Sequence, residues 1–583
     1  MSCRCLSAAL CSSCCVLVLL TFTACVRQNH TTPPIAKVNS PGRSDGIFRD
    51  VAPAAGINFL WGPRDPTKLT IREMMGFGCA FLDYDGDGKL DALLVTSDHV
   101  ELYRNLDGSR FENVTSRAFP GSSPRPYLMG CAVCDFDGDG RPDIFVTGYG
   151  RTILYHNEGG TFKDITQGSG LEARGPYDWT TSAAWSDVDG DGRPDLYVCR
   201  YVRFTPEDRQ FCTSPGVDGK PVNGACQPTA YSPQKGSLFR NLGNGRFQDI
   251  TEQAGLADTH GNGLGCRFCD FNADGHPDLY VANDQLPGDL FLGLGHGKFR
   301  NIGAESGTAL SSNGGTVAGM GIAWGDYDND GRFDLLVSNF SGQPKLLFHN
   351  EGGNLFFDAA PRASIVGASL PVLTFSAEMM DVDDDGLLDI VLFNGEVQSL
   401  VALVDPTRSY PERSLLFLNA GKGQFTDGTE RAGPDFARKI VGRGAAVGDY
   451  DGDGRLDLLV VDAEGLPLLL HNESQVNHSI TLRVLAADGK SDALGARVTL
   501  TNGSIRQIRE VTCGGSYLSS NAPEVHFGLG SAASAELVAV SWPGGGSSSY
   551  RGLKSGRAYR VVQSGGAPTV IREFAPSALR GSK

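Results

Sequence analysis

The sequence predicts an all-β chain, a seven-bladed β-propeller followed by a small antiparallel β-domain. Three observations predict it. A nine-residue acidic pattern recurs seven times, each copy stands between two short apolar runs, and Gly 76 with Pro 30 in 583 residues supply many tight turns without a Gly-X-Y period. A composition of 40% hydrophobic and 20% charged residues suits a buried core and excludes a disordered or fibrous chain. Asp and Glu number 67 against 51 Lys and Arg, and the net charge of −16 argues against nucleic acid and anionic lipid surfaces as partners.

Residues 1–24 read as a signal peptide, in which a single charge, Arg4, precedes a small and apolar run through Leu20 and Phe22. The run is too short for a membrane span. Its end, Phe22-Thr23-Ala24-Cys25, resembles a bacterial lipobox with Cys25 as the lipidated residue, although Leu is commoner where Phe22 stands. Ordinary cleavage nearby, giving a secreted product, is the alternative. Residues 25–45 are polar and proline-bearing and suit a tether, and no later segment has the apolar length to cross a bilayer. A lipid anchor is therefore the one membrane attachment expected.

The seven copies define residues 46–473. They start at Asp83, Asp135, Asp187, Asp270, Asp326, Asp381 and Asp449, spaced 52, 52, 83, 56, 55 and 68 residues apart. The apolar runs on either side read as buried strands, so the pattern sits on a hairpin loop. A third run ends in an Asn turn, as at Leu102-Tyr103-Arg104-Asn105, and a fourth centres on Phe-x-Asp, as at Phe247. Four strands per unit make a propeller blade. Gly46-Ile47-Phe48-Arg49-Asp50-Val51 reads as a fourth strand standing before the first loop, while the seventh unit ends at Asn472 without one. The N-terminal strand is thus expected to complete the last blade and close the ring, which pairs otherwise exposed edges.

Within each loop, positions one, three, five and nine offer side-chain oxygens, position seven a backbone carbonyl, and position six is always Gly. A hard cation takes six to eight oxygens at flexible geometry, so this is calcium chemistry, with about seven structural Ca²⁺ sites. The predicted ligand sets are Asp83, Asp85, Asp87, Lys89 and Asp91; Asp135, Asp137, Asp139, Arg141 and Asp143; and Asp187, Asp189, Asp191, Arg193 and Asp195. They continue with Asp270, Asn272, Asp274, His276 and Asp278; Asp326, Asp328, Asp330, Arg332 and Asp334; Asp381, Asp383, Asp385, Leu387 and Asp389; and Asp449, Asp451, Asp453, Arg455 and Asp457. An EF-hand is excluded because its twelfth position needs Glu, whereas Leu94, Val146 and Val198 stand there. Asp and Gly also form turns without metal, but seven copies at one spacing exceed what turn preference requires. These ligands account for 27 of the 67 acidic residues. Asn272 costs the fourth loop a charge, so that site is expected to be the weakest.

The loops and flanking strands resemble the FG-GAP or VCBS repeats of integrin-like propellers. Farther on, Leu494-Gly495-Ala496-Arg497-Val498, Gly515-Ser516-Tyr517-Leu518-Ser519, His526-Phe527-Gly528-Leu529-Gly530 and Val540-Ser541-Trp542-Pro543-Gly544 look like an ASPIC and UnbV domain. The combination is similar to bacterial relatives of cartilage acidic protein, exported calcium-binding repeat proteins without an established enzymatic activity, which implies adhesion or ligand binding. Cys513 departs from that pattern and leaves a candidate free thiol. Read on their own terms, residues 474–565 hold alternating segments of a small antiparallel β-domain expected beside the propeller, and 566–583 read as a frayed tail.

Other constellations have plain structural readings. Cys131 with Cys134 and Cys266 with Cys269 resemble zinc or redox pairs but share one strand slot, which favours buried core thiols. His156, His349 and His471 read as turn residues, because Arg104 and Arg240 fill the same slot, and His526 reads as a satisfied structural histidine. Arg267 and Glu378 replace a small residue on inner strands and read as an ion pair between blades, or as groups lining a channel. The insertion 201–235 is the first candidate for a partner surface, and Cys212 with Cys226 inside it is the favoured disulfide over the rival Cys199.

The function this supports is a cell-surface binding or adhesion module with a protein or glycan partner. The rival is a secreted polysaccharide lyase or glycoside hydrolase using the central channel. His-Glu-x-x-His and Gly-x-Ser-x-Gly are both absent from the sequence, which disfavours the rival, whereas a close facing pair of Asp178 and Glu378 would support it.

Overall fold

The computed structural model describes residues 46–61, 65, 67–122, 127–475 and 477–574. The signal stretch and the whole tether, Cys25 included, therefore lie outside the described residues. Everything else follows from one repeated hairpin. A small, apolar strand such as Cys79–Leu82 or Leu128–Cys134 runs into the acidic loop, and the strand after the loop returns antiparallel. The register is the same in all seven hairpins: position nine lies opposite the residue before position one, as in Leu82↔Asp91 and Gly448↔Asp457. Both strands are buried on both faces, which explains their unbroken apolar character.

Two further strands complete each of seven four-stranded antiparallel sheets. In the seventh sheet the outermost strand is Phe48–Asp50, with Phe48 opposite Asn472 and Asp50 opposite Leu470. First strands of successive sheets pack side by side, and the seventh, Gly442–Gly448, packs against the first, Cys79–Leu82. An apolar core fills each space between neighbours. The one between the seventh and first sheets holds Phe81, Leu94, Tyr450 and Leu459, and the one between the sixth and seventh holds Phe48.

The C-terminal residues form two more four-stranded sheets around a core of Ile480, Leu482, Val498, Phe527 and Val538. Three expectations need correction here. The arrangement is not purely antiparallel, since His478–Leu485 runs parallel to Arg557–Val562. The long excursion through the other sheet between these two strands supplies the crossover that a parallel pair requires. Residues 566–583 are not all tail: Thr569–Glu573 is a strand paired with Arg557–Val562, and only 575–583 lie outside the described residues.

The third correction concerns placement. The C-terminal sheets do not merely stand beside the repeats; they cover the acidic-loop face and send residues 513–522 into the middle of the ring. Ser520 bridges to Ala80, Cys513 to Trp185, and the Leu518 carbonyl accepts from the Cys131 amide at 2.9 Å. Ser516 Oγ accepts from the Ala377 amide and Asn521 Oδ1 from the Val447 amide, each at 3.0 Å. The segment therefore satisfies inner-strand amides that no neighbouring strand reaches. Glycine is required where it passes: a Cβ on Gly78 would lie 1.8 Å from the Leu518 carbonyl oxygen, and on Gly130 2.7 Å.

The insertion carries the expected Cys212–Cys226 disulfide at the base of a hairpin, Cys212–Pro215 with Pro221–Gly224. Among the described residues the other seven cysteines are free and buried, with the Cys134 and Cys513 thiols in hydrogen-bonding contact. Also among the described residues, no helix is long and apolar enough to cross a membrane.

Candidate metal loops and the loop face

All seven loops are wired alike. The position-six glycine amide donates to the position-one carboxylate, from Gly88 to Asp83 at 2.9 Å through to Gly454 to Asp449 at 3.2 Å. Each of these glycines has a φ between 83° and 92°, a conformation that disfavours any side chain. The position-seven amide, from Lys89 to Arg455, donates to the position-five side chain. Position nine is an anchor as well as a donor of oxygens. One oxygen accepts from the position-two amide, and the other from an amide on the third strand, as at Asp91 with Tyr84 and Asn105.

These bonds gather carboxylates. Ligand oxygens of Asp83, Asp85 and Asp91 lie within 4.8 Å of one another, as do those of Asp135, Asp137 and Asp143. Burial, reinforced by neighbouring loop acids, pushes the Asp91, Asp143 and Asp195 carboxyls up to about 8, about 9 and about 8. Charge of this kind held together in a low-dielectric loop calls for a counter-charge. The oxygen-only donor set, the shared centre and the glycine turn fit a hard divalent cation.

Sequence reasoning missed two sets of residues. The first is the third-strand asparagine, whose side chain joins its own loop to that of the preceding sheet. Asn157 Nδ2 donates to Pro142 O at 3.1 Å and to Tyr84 O at 2.8 Å. Asn105, Asn241, Asn350, Asn419 and Asn472 do the same, and Asn105 reaches Tyr450 in the seventh loop at 2.8 Å. The fourth sheet has Gly293 there, and the Gly297 amide meets the Val188 carbonyl at 2.9 Å instead.

The second set is the His and Arg side chains next to these asparagines. His156, His349 and His471 are not turn formers; the adjacent asparagine makes the turn, and the imidazoles face the loop acids. His156 Nε2 lies 2.9 Å from Asp137 and His349 Nε2 3.1 Å from Asp328. His471 Nδ1 lies 3.5 Å from Asp451, while Arg104 and Arg240 Nε approach Asp85 and Asp189 to 2.6 Å. The cue was in the sequence, because Arg and His alternate in one slot. In the fourth and sixth sheets that slot holds Leu292 and Leu418.

C-terminal residues complete this face. His526 is satisfied as expected, by Asp384 at 2.7 Å and Thr481 at 3.3 Å. Arg572 reaches Asp449 at 2.9 Å, Ser491 reaches Asp135 at 3.1 Å, and the Asp270 amide donates to Glu510 at 3.0 Å. Beneath them a cavity of about 800 Å³ is lined by both groups of sheets. Arg267 and Glu378 meet there at 4.0 Å, across the ring interior and not between adjacent sheets as expected. Glu378 also accepts from Asn521 at 3.1 Å, its Oε1 has no hydrogen-bond partner among the described residues, and burial pushes its carboxyl up to about 7. Asp178 is ion-paired to Arg200 at 2.6 Å and does not line this cavity, so the facing acid pair is not formed.

Residues 83–146, 135–198, 229–281, 270–337, 326–392 and 381–460 match the FG-GAP-like repeat family, over more than half of the chain. The chain belongs to the FG-GAP-like repeat proteins. Residues 487–568, which include the segment threaded through the ring, match the ASPIC and UnbV family. Similar relatives are cartilage acidic protein 1 of Homo sapiens, 26% identical over 526 residues (86% of this chain and 72% of that protein), and its Mus musculus counterpart, 27% identical over 508 residues (82% and 71%). Solved structures with likeness include a Burkholderia pseudomallei lectin, 9% identical with a TM-score of 0.42 over 69% of this chain and 97% of that chain. An exotype rhamnogalacturonan lyase is 13% identical with a TM-score of 0.31 over 85% and 87%. Within this FG-GAP chain the fourth repeat departs most, lacking the third-strand asparagine and its basic neighbour and carrying Asn272.

Proposed function

We propose that the seven sheets are the blades of a closed, calcium-stabilised propeller, exported and acting outside the cell as a binding or adhesion module for a protein or glycan. The asparagine links between successive loops, with Asn105 and Asn472 on either side of the closure, support the ring. Seven identically wired acidic loops support calcium as the ion, and the loop carboxylates with the position-seven carbonyls would hold it. When bound, the ion supplies charge neutralisation and a fixed hairpin; catalysis needs an open coordination position that these loops, crowded by their own side chains, do not favour.

The observation that carries the binding role is the threaded segment 513–522. It occupies the ring centre, where a channel enzyme would hold substrate, and leaves the outer surfaces for partners. Glycan-array and cell-surface binding by the calcium-loaded chain, repeated in chelator, tests the reading; calcium-dependent capture of a defined glycan or surface protein is expected. Polysaccharide cleavage that disappears in Glu378→Gln would replace it with the lyase or hydrolase.

A further inference from the structure

At the end of the ring away from the acidic loops, the insertion roofs a second chamber of about 740 Å³. The roof is tied down. Gln398 exchanges hydrogen bonds with the Ala225 backbone at 2.9 and 3.2 Å, and the Val217 amide donates to the Leu403 carbonyl at 2.9 Å. A disulfide-braced hairpin from the third sheet thus rests on a loop from the sixth, and a chamber of ligand size is kept open below. Its walls are mainly apolar and rich in methionine, with Met74, Met75, Met320, Leu264 and Phe375. Such side chains adapt to a flat or irregular apolar body.

Among the described residues lining the chamber, two carry formal charge, Asp284 and Arg408. Arg408 is neutralised by an ion pair with the buried Glu396 and donates to Ser341 Oγ at 2.5 Å. Among the described residues Asp284 has no cationic partner. The residue is 7% exposed, Oδ2 accepts from the Tyr201 hydroxyl at 2.6 Å, and Oδ1 accepts from no group among the described residues. A buried carboxylate held by one phenol, with a free oxygen on an apolar chamber, lacks a counter-charge that a ligand can supply.

We propose that this chamber binds an organic ammonium ligand with an apolar body of aromatic size, its charged nitrogen resting on the free oxygen of Asp284. The site is separate from the metal-loop reading, since no loop carboxylate lines it. Burial pushes the Asp284 carboxyl up to about 6 against the opposing effect of the Tyr201 hydrogen bond. The titratable groups that face it are Tyr201 and Tyr517 of the threaded segment, and Arg408 stands elsewhere on the chamber wall in its ion pair with Glu396. Protonation below that value removes the anion, so an ammonium ligand binds better as pH rises through about 6.

Calorimetry on the full chain with phenethylamine, 2-phenylethanol and 3-phenylpropionate as probes tests this. At pH about 7.5 the amine is expected to bind at least about tenfold more tightly than the alcohol, the carboxylate more weakly than either, and the preference to shrink at pH about 5. Asp284→Asn should remove the preference for the amine. Val404→Trp, at a chamber-lining residue that is itself 37% exposed, should block amine and alcohol alike without lowering the melting temperature. Equal affinity for amine and alcohol, no detectable binding of the amine, or an unchanged preference in Asp284→Asn would overturn the proposal.

Discussion

Each loop divides its labour among residues in a way that its spacing only half reveals. The carboxylates at positions one, three, five and nine are legible because they recur at fixed intervals beside an invariant glycine. The asparagines are not, because the Asn157 side chain meets the Tyr84 carbonyl 73 residues away, and no local pattern encodes that distance. Replacing Asn157 by Ala strands the buried Tyr84 carbonyl and the partly buried Pro142 carbonyl and is expected to cost about 1–3 kcal/mol, read as a lower urea midpoint at unchanged slope. An unchanged midpoint would mean the links are incidental. At position nine, Asp195→Asn keeps the shape and removes a charge from a carboxylate that serves as both anchor and candidate ligand. The expected result is a bound-calcium stoichiometry lower by about one, measured on dialysed protein.

The four strands of each sheet were readable as elements because alternating apolar runs, turn residues and a displaced fourth-strand sequence at the N-terminus all agree. Phe48 shows what the displaced strand does: it is fully buried, and its ring stacks on Phe436 with centroids 5.5 Å apart. Phe48→Ala should open the seventh sheet and cost about 3–5 kcal/mol in global stability, measured by denaturant unfolding. The threaded segment was not readable. Its partners are backbone amides on strands of several different sheets, and the glycines that admit it resemble ordinary small residues of a packed strand. Gly130→Val tests it directly, since a Cβ there meets the Leu518 backbone at 2.7 Å. Expulsion of the segment should make residues 513–522 susceptible to limited proteolysis while the repeats stay folded; full protection in the variant would show that the passage is looser than these contacts imply.

At the scale of the whole molecule, the candidate metal loops and the docked C-terminal sheets share one surface. The C-terminal sheets hold the loop face through His526 on Asp384, Arg572 on Asp449 and Ser491 on Asp135, and two of these acids, Asp449 and Asp135, are also candidate ligands. Of the 67 acidic residues, 27 stand at the candidate ligand positions of these loops, and without a bound cation they repel one another. At free calcium about 100 times the dissociation constant, each occupied site adds about 2.7 kcal/mol to the folded state. Chelation should therefore act twice, lowering the melting temperature and releasing the C-terminal sheets from the loop face. The expected signature is one cooperative transition in calcium and, in chelator, an earlier transition with protease cleavage near residues 474–477, between the last repeat and the strand beginning at His478. A single transition at the same temperature in both conditions would show that the basic residues already facing Asp85, Asp137, Asp189, Asp328 and Asp451 neutralise the loops without an ion.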